Sequence, residues 1–273
     1  NIDSTILAVS QSGETADTLA AVNAARQRAA TILGLTNVIG STLTRISRVY
    51  ISQQSGPEIG VAATKTFTSQ LSVLAQLALR LAKKRGKISQ DEMDFIEAKL
   101  KKLPDIVETV IATQEEKVKG IAKKYKDAKV FFFLGRGIST ATAYEGRLKL
   151  MEIAYIPAIA FPAGESKHGP ISLIEEGFPV VFICPKDETH KTIIGNIMEM
   201  KARGASIIAV IEEGDEEVKR LADDYVEVPK GIPDALSPIP FVVPLQLLAY
   251  YIAVERGYDP DKPRNLAKSV TVK

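Results

Sequence analysis

The chain contains one strand–turn–helix series twice, and that repeat restricts the folds open to it more than any other feature. Thr5-Ile-Leu-Ala-Val-Ser-Gln-Ser-Gly-Glu-Thr15 runs from an apolar strand into a turn and a helix start, and Pro179-Val-Val-Phe-Ile-Cys-Pro-Lys-Asp-Glu-Thr189 repeats the order. Each is followed by a helical segment bearing Arg or Lys, Leu19–Ala29 and Ile193–Arg203, then by a short apolar strand, Thr36–Ile39 and Ile207–Ile211. A third strand follows in each, Arg48–Ser52 and Tyr225–Val228. β-Branched runs alternating with segments of helical period predict a parallel sheet covered by helices on both faces, because each crossover between parallel strands supplies a covering helix. The expected class is α/β, with one three-layer αβα fold used twice.

Two strands near Val130–Leu134 and Ala158–Phe161 precede the second copy, and nothing corresponds to them ahead of Thr5. The first domain is therefore expected to lack its opening strands and any anion donor on their turn. With Asn1 in place of a methionine, the chain reads as a fragment or processed product. The expected divisions are a first domain at 1–87, a second at 88–257, and a tail at 258–273. Between the copies, Gln70–Arg85 and Gln90–Lys126 read as long amphipathic helices with a solvated charged face, separated at Gly86 and interrupted at Pro104.

The turn of the first copy suits an anion. Backbone N–H groups at a helix start lack intrahelical partners and carry the positive end of the dipole, so small hydroxyl residues and a glycine there can wrap a phosphate closely. Ser10, Gln11, Ser12 and Thr15 supply side-chain donors, and Gly13 lets the backbone approach. One isolated Ser or Thr would read as a helix cap, whereas four donors within this turn point to a ligand. Leu134-Gly-Arg-Gly-Ile-Ser139 is a poor dinucleotide turn, lacking the third glycine and an acidic residue closing the next strand.

Charge narrows the partner. Basic and acidic residues nearly cancel at a formal +2, and no Lys/Arg run carries interleaved aromatics, so nucleic acid and anionic membrane are not suggested and a small anion is. The one cysteine, Cys184, lies in an apolar run and is expected in the core rather than as nucleophile or metal ligand. The absence of an internal disulfide and of a leader-like start fits a reducing cytoplasm. The longest apolar stretch, Phe241–Val254, contains Pro244 and Gln246 and is too short to cross a bilayer, so a soluble protein is expected.

Two further segments carry candidate chemistry. In the expected helix Tyr144–Ala154, Glu145, Lys149 and Glu152 fall at i, i+4 and i+7 and so share a face. Phe161-Pro-Ala-Gly-Glu-Ser-Lys-His-Gly-Pro170 reads as a loop after a strand, the position where α/β proteins bind ligands, and it holds Glu165, Lys167 and His168. His190, the other histidine, is expected at the surface, and His168 has no His or Cys at ligand spacing, so no metal is expected. The tail from Asp261 places a proline, basic residues and Asn265 ahead of an alternating Val/Thr end.

Ser10–Thr15, Glu58-Ile-Gly-Val-Ala-Ala-Thr-Lys65, Glu165–Pro170 and Pro263-Arg-Asn-Leu-Ala-Lys-Ser-Val-Thr-Val272 together resemble the isomerase half of the glucosamine-6-phosphate synthases, the isomerizing glutamine–fructose-6-phosphate aminotransferases. The resemblance runs the whole length, as two sugar isomerase (SIS) domains and a C-terminal lid. It implies sugar-phosphate binding by Ser10, Gln11, Ser12, Thr15, Val61, Ala63 and Ala267, with Ala63 standing where a serine is expected. It implies His168 for ring opening, Glu152 for proton transfer between C1 and C2, Lys268 for a Schiff base with the open ketose, and Lys149 as assistant to Glu152. The implied reaction is fructose 6-phosphate plus ammonia to glucosamine 6-phosphate, the ammonia coming from a glutaminase domain elsewhere. No cofactor is implied, and a homodimer sharing its histidine loop is. A stand-alone amino-sugar-phosphate deaminase or deglycase, or a non-catalytic sugar-phosphate sensor, would share much of this pattern.

Overall fold

The computed structural model describes residues 1–269. They fall into two compact units, Asn1–Leu74 with the tail from Arg264, and Ala75–Pro263. These bounds follow packing, whereas the divisions at 87 and 257 follow the repeat.

The first unit carries β1 (Thr5–Val9), α1 (Ala16–Gln27), β2 (Thr31–Thr36), α2 (Thr42–Ile46) and β3 (Val49–Ser52). Its three strands are parallel in the order β1-β2-β3, with Thr5 opposite Thr31 and Leu33 opposite Val49. Ala8, Val22, Ile32 and Leu43 form the buried core between sheet and helices. The second strand lies earlier than the expected Thr36–Ile39. Gly34 hides it in the sequence by reading as a breaker, but here it permits a close approach, since a Cβ at that point would lie 2.7 Å from Ser47 Oγ. At Asn37 the chain turns away, its N–H donating to the Gln11 carbonyl at 3.0 Å. After an irregular stretch, α3 (Lys65–Lys84) begins sooner than the expected Gln70 and ends before Gly86, whose φ is +63°.

The second unit continues with α4 (Gln90–Lys101), α5 (Leu103–Tyr125), β4 (Phe131–Gly135), α6 (Ser139–Lys149), β5 (Ala158–Pro162), β6 (Pro179–Cys184), α7 (His190–Lys201), β7 (Ser206–Glu212), α8 (Glu216–Leu221), β8 (Asp224–Val228) and α9 (Pro238–Glu255). Five parallel strands stand in the order β5-β4-β6-β7-β8. Helices cover both faces, which is why Phe131, Phe132 and Phe133 can all be buried in succession. On one face Phe132 meets Phe161 and Phe178 edge to face at 5.2 and 4.8 Å, in a core that also holds Phe182, Ile197 and Cys184. Burial pushes the Cys184 thiol well above its usual range, so it is an inert core group.

Several expected elements are corrected. The stretch Gln90–Lys126 is two helices, broken at Lys102. Pro104 sits in the first turn of α5, where its missing N–H costs nothing, so it opens a helix rather than interrupting one. Ser89 caps α4, its Oγ accepting from Glu92 N–H while Glu92 accepts from Ser89 N–H. Phe241–Val254 is part of a longer segment, Asp234–Glu255, that is long and apolar enough by composition to cross a membrane. Pro244 does not end it. Two thirds of its most apolar window is buried within the protein (67%), where α9 packs on α5 and α6, and that burial accounts for its hydrophobicity.

Candidate functional site

The turn between β1 and α1 is held from several sides. Ser10 N–H donates to the Leu35 carbonyl at 3.0 Å, Thr36 Oγ1 donates to the Gln11 carbonyl at 3.2 Å, and Leu43 N–H donates to the Gly13 carbonyl at 3.0 Å. The ends of β2 and the start of α2 therefore fix its path. Inside the turn, Ser10 Oγ accepts from Gly13 N–H at 3.1 Å and lies 3.0 Å from Thr15 Oγ1. Ser12 Oγ accepts from Glu14 N–H at 3.2 Å. Gly13 has φ +67°, and a Cβ there would fall 2.1 Å from Ser41 Oγ. Both conformation and space demand glycine. The Glu14 carboxylate accepts from Thr42 N–H at 2.7 Å, a bond that holds its pKa below the usual carboxylate value. Thr15 precedes α1 without capping it by its side chain.

The tail rests on the same unit. Lys268 Nζ donates to Glu58 Oε2 at 2.6 Å and to the Gly60 carbonyl at 2.8 Å, and Ser269 Oγ donates to Ser12 Oγ at 3.3 Å. Val61 and Ala63 are half-buried in the irregular segment that follows Gly60, and Ala267 is exposed. Val270–Lys273, the rest of the quoted tail, lie outside the described residues.

In the second unit, Lys149 is 3% exposed at the end of α6, and it stands between two carboxylates. Its Nζ donates to Glu152 Oε2 at 2.7 Å and lies 3.2 Å from Glu145 Oε1, close enough to pair but without hydrogen-bond alignment. The shared face was legible from spacing. Its burial was not, because an i, i+4, i+7 ladder looks the same on a solvated helix. The helix is also not uniform: α6 passes at Leu150–Ala154 into a wider π-turn, which ends at Tyr155 in a left-handed conformation with φ 56°. Burial pushes the Glu145 carboxyl up, Lys149 opposing and Glu152 reinforcing the shift.

His168 is exposed at the end of a short 3-10 turn, Ala163–His168, which with a second one at Pro170–Leu173 replaces the expected loop. Gly169 between them has φ +139°. His190 is not at the surface as expected. Its Nε2 lies 2.6 Å from Asp215 Oδ2, with the histidine side chain 14% exposed and the aspartate 2%. Asp215 also caps α8 through Val218 N–H at 3.3 Å. A tertiary pairing of α7 with α8 leaves no local trace around Glu188–Lys191.

Glu58 is a further participant with no role expected from the sequence, although the spacing Glu58, Thr64, Thr66 suggests a carboxylate gathering donors at a helix start. It accepts from Thr64 N–H at 2.8 Å and Thr66 Oγ1 at 2.6 Å.

A SIS-domain family profile matches residues 2–80 and 124–256. The chain is 51% identical over 267 residues to the glutamine–fructose-6-phosphate aminotransferase [isomerizing] of Thermococcus kodakarensis, covering 98% of this chain and 44% of that protein. It is 50% identical over 266 residues to the Thermus thermophilus enzyme of the same name, again over 44% of its length. The chain thus spans less than half of these relatives. Among solved structures, the C-terminal domain of glucosamine-fructose-6-phosphate aminotransferase from Francisella tularensis superposes with a TM-score of 0.88 at 35% identity, over 95% of this chain and 73% of that one. A glucosamine-6-phosphate deaminase from Thermotoga maritima shares the fold, with a TM-score of 0.74 at 24% identity over 99% of this chain and 76% of that one.

Proposed function

The chain belongs to the SIS-domain family, and we propose that it is the sugar-phosphate isomerase portion of a glutamine–fructose-6-phosphate aminotransferase. The observation that carries this reading is the seating of the tail on the unit that holds the 10–15 turn: Ser269 reaches Ser12, and Lys268 is anchored beside Gly60. A cradle alone suits any phosphosugar binder; a lysine brought to it by a C-terminal segment suits a carbonyl substrate.

In this reading Ser10, Gln11, Ser12 and Thr15 take the phosphate of fructose 6-phosphate, with Val61, Ala63 and Ala267 along the sugar. The α1 amide dipole favours the phosphate dianion. His168 assists ring opening by moving the proton of the anomeric hydroxyl. Lys268, having released one ammonium proton, adds to the C2 carbonyl; that proton goes to the C2 hydroxyl of the adduct, which leaves as water and gives the iminium. Glu152 moves a proton between C1 and C2, and Lys149, 2.7 Å from its Oε2, keeps that carboxylate aimed. Ammonia supplied by a glutaminase domain displaces Lys268 from C2 before the proton transfer, and the product is glucosamine 6-phosphate; without ammonia, water displaces it, and the same proton transfer on the ketose gives glucose 6-phosphate. A cytoplasmic homodimer goes with the same reading.

The test is incubation with fructose 6-phosphate in the absence of glutamine, with glucose 6-phosphate followed by a coupled dehydrogenase. Formation that disappears in Glu152→Gln supports the reading. Binding of fructose 6-phosphate without turnover would point instead to a sensor.

A further inference from the structure

Glu58 does more than complete a turn. Its side chain is 5% exposed, and both oxygens are engaged. Oε1 accepts from Thr64 N–H at 2.8 Å and from Thr66 N–H at 3.3 Å. Oε2 accepts from Thr66 Oγ1 at 2.6 Å and from Lys268 Nζ at 2.6 Å. The bonds from Thr64 and Thr66 are local, so they fix the carboxylate by themselves, and the lysine comes to a point already defined. The Gly60 carbonyl, 2.8 Å from Nζ, supplies a second fixed acceptor. A lysine nitrogen on a four-carbon stem otherwise samples many rotamers, and a nucleophile that must meet one carbon gains from being held.

We propose that Glu58 is the positioning residue for Lys268, holding the tail's ammonium in place before the sugar arrives and remaining its counter-charge when that nitrogen becomes the iminium. The proposal rests on the function argued above. The nitrogen is cationic at both ends of the step: the ammonium gives up one proton, the amine adds to C2, the released proton goes to the C2 oxygen, which leaves as water, and the C=N nitrogen carries the positive charge. A buried carboxylate beside it is thus compensated in both states, as buried charges must be. Burial by itself would raise the Glu58 carboxyl, but the bonds from Lys268, Thr66 and Thr64 outweigh it and hold the group below its ordinary value.

Glu58→Gln tests this, since the amide can keep an oxygen toward the two N–H groups while presenting an NH2 where Oε2 met Lys268. The chain is mixed with fructose 6-phosphate and borohydride, which reduces an imine to a stable amine, and the adduct on Lys268 is quantified by mass spectrometry. Sugar affinity is measured in parallel by calorimetry. Expected are an adduct in the parent protein and, in Glu58→Gln, an adduct rate about 10- to 100-fold lower with affinity retained. An unchanged rate overturns the positioning role and leaves the isomerase reading standing; no adduct in the parent protein overturns both. Should Glu58→Gln fail to fold, Glu58→Asp keeps the charge but withdraws it, and a parental adduct rate there overturns the proposal equally. A double-mutant cycle separates a merely structural role: if Glu58→Gln lowers the melting temperature as much in Lys268→Ala as in the parent protein, the two residues are uncoupled and the proposal fails.

Discussion

Ser10 and Thr15 place their hydroxyl oxygens 3.0 Å apart across the turn between β1 and α1. Thr15 thereby commits its side chain to the turn rather than to capping the helix, and the first-turn N–H groups of α1 receive no cap from it. An uncapped helix start behind a ring of hydroxyls is an arrangement that an anion completes.

Thr15→Val removes one hydroxyl from that ring at nearly constant volume. Fructose 6-phosphate should bind about tenfold more weakly, the worth of one hydrogen bond to a charged group, while stability falls only by the worth of the Ser10 bond, about 1 kcal/mol, because no cap is lost. Calorimetry and thermal melting together check this.

Gly13→Ala should damage both properties. The left-handed φ of +67° and a Cβ placed 2.1 Å from Ser41 Oγ force the turn to shift. A loss of about 1–3 kcal/mol in stability is expected, measurable by denaturant unfolding, together with a weaker phosphate site.

Lys149→Met leaves Glu145 and Glu152 facing one another without their shared cation. Breaking a buried pair in this way costs about 3–5 kcal/mol. The more conservative Glu152→Gln should fold normally, keep fructose 6-phosphate affinity, and lose about 10²–10⁴-fold in turnover if that carboxylate moves the proton.

Glu58 and Glu145 predict opposite pH behaviour. Glu58 titrates lower in the folded protein than its ordinary 4.5, so the unfolded chain binds more protons in that interval. Its contribution is complete above 4.5 and is lost as pH falls toward the folded value. Glu145 titrates higher than 4.5 when folded, so the folded chain holds the extra proton, and stability declines as pH rises from 4.5 through the folded value. Melting curves across acid pH should show the Glu58 limb flattened in Glu58→Gln and the Glu145 decline removed in Glu145→Gln.

The α/β class, the five strands of the second unit and the face shared by Glu145, Lys149 and Glu152 are all legible, because unbroken apolar strand runs and helical spacing are local signals. β2 lies earlier than its expected range because Gly34 breaks the pattern where the backbone only needs room beside Ser47. His190 is enclosed against expectation because Asp215 reaches it from the start of another helix. The roles of Glu152, His168 and Lys268 follow from the family resemblance, since periodicity along a segment does not encode the reaction a side chain performs.

What the sequence by itself determined is therefore whatever a short window encodes: the repeat, the small-residue turn at Ser10–Thr15, and the apolar runs that had to be buried. Tertiary structure alone decided that Lys149 is enclosed, that α9 is a core helix, and that Lys268 meets a carboxylate 210 residues away. The physical reason is that burial and the pairing of charges depend on which surfaces the chain brings together, and that contact energy has no counterpart in the spacing of residues along any one segment.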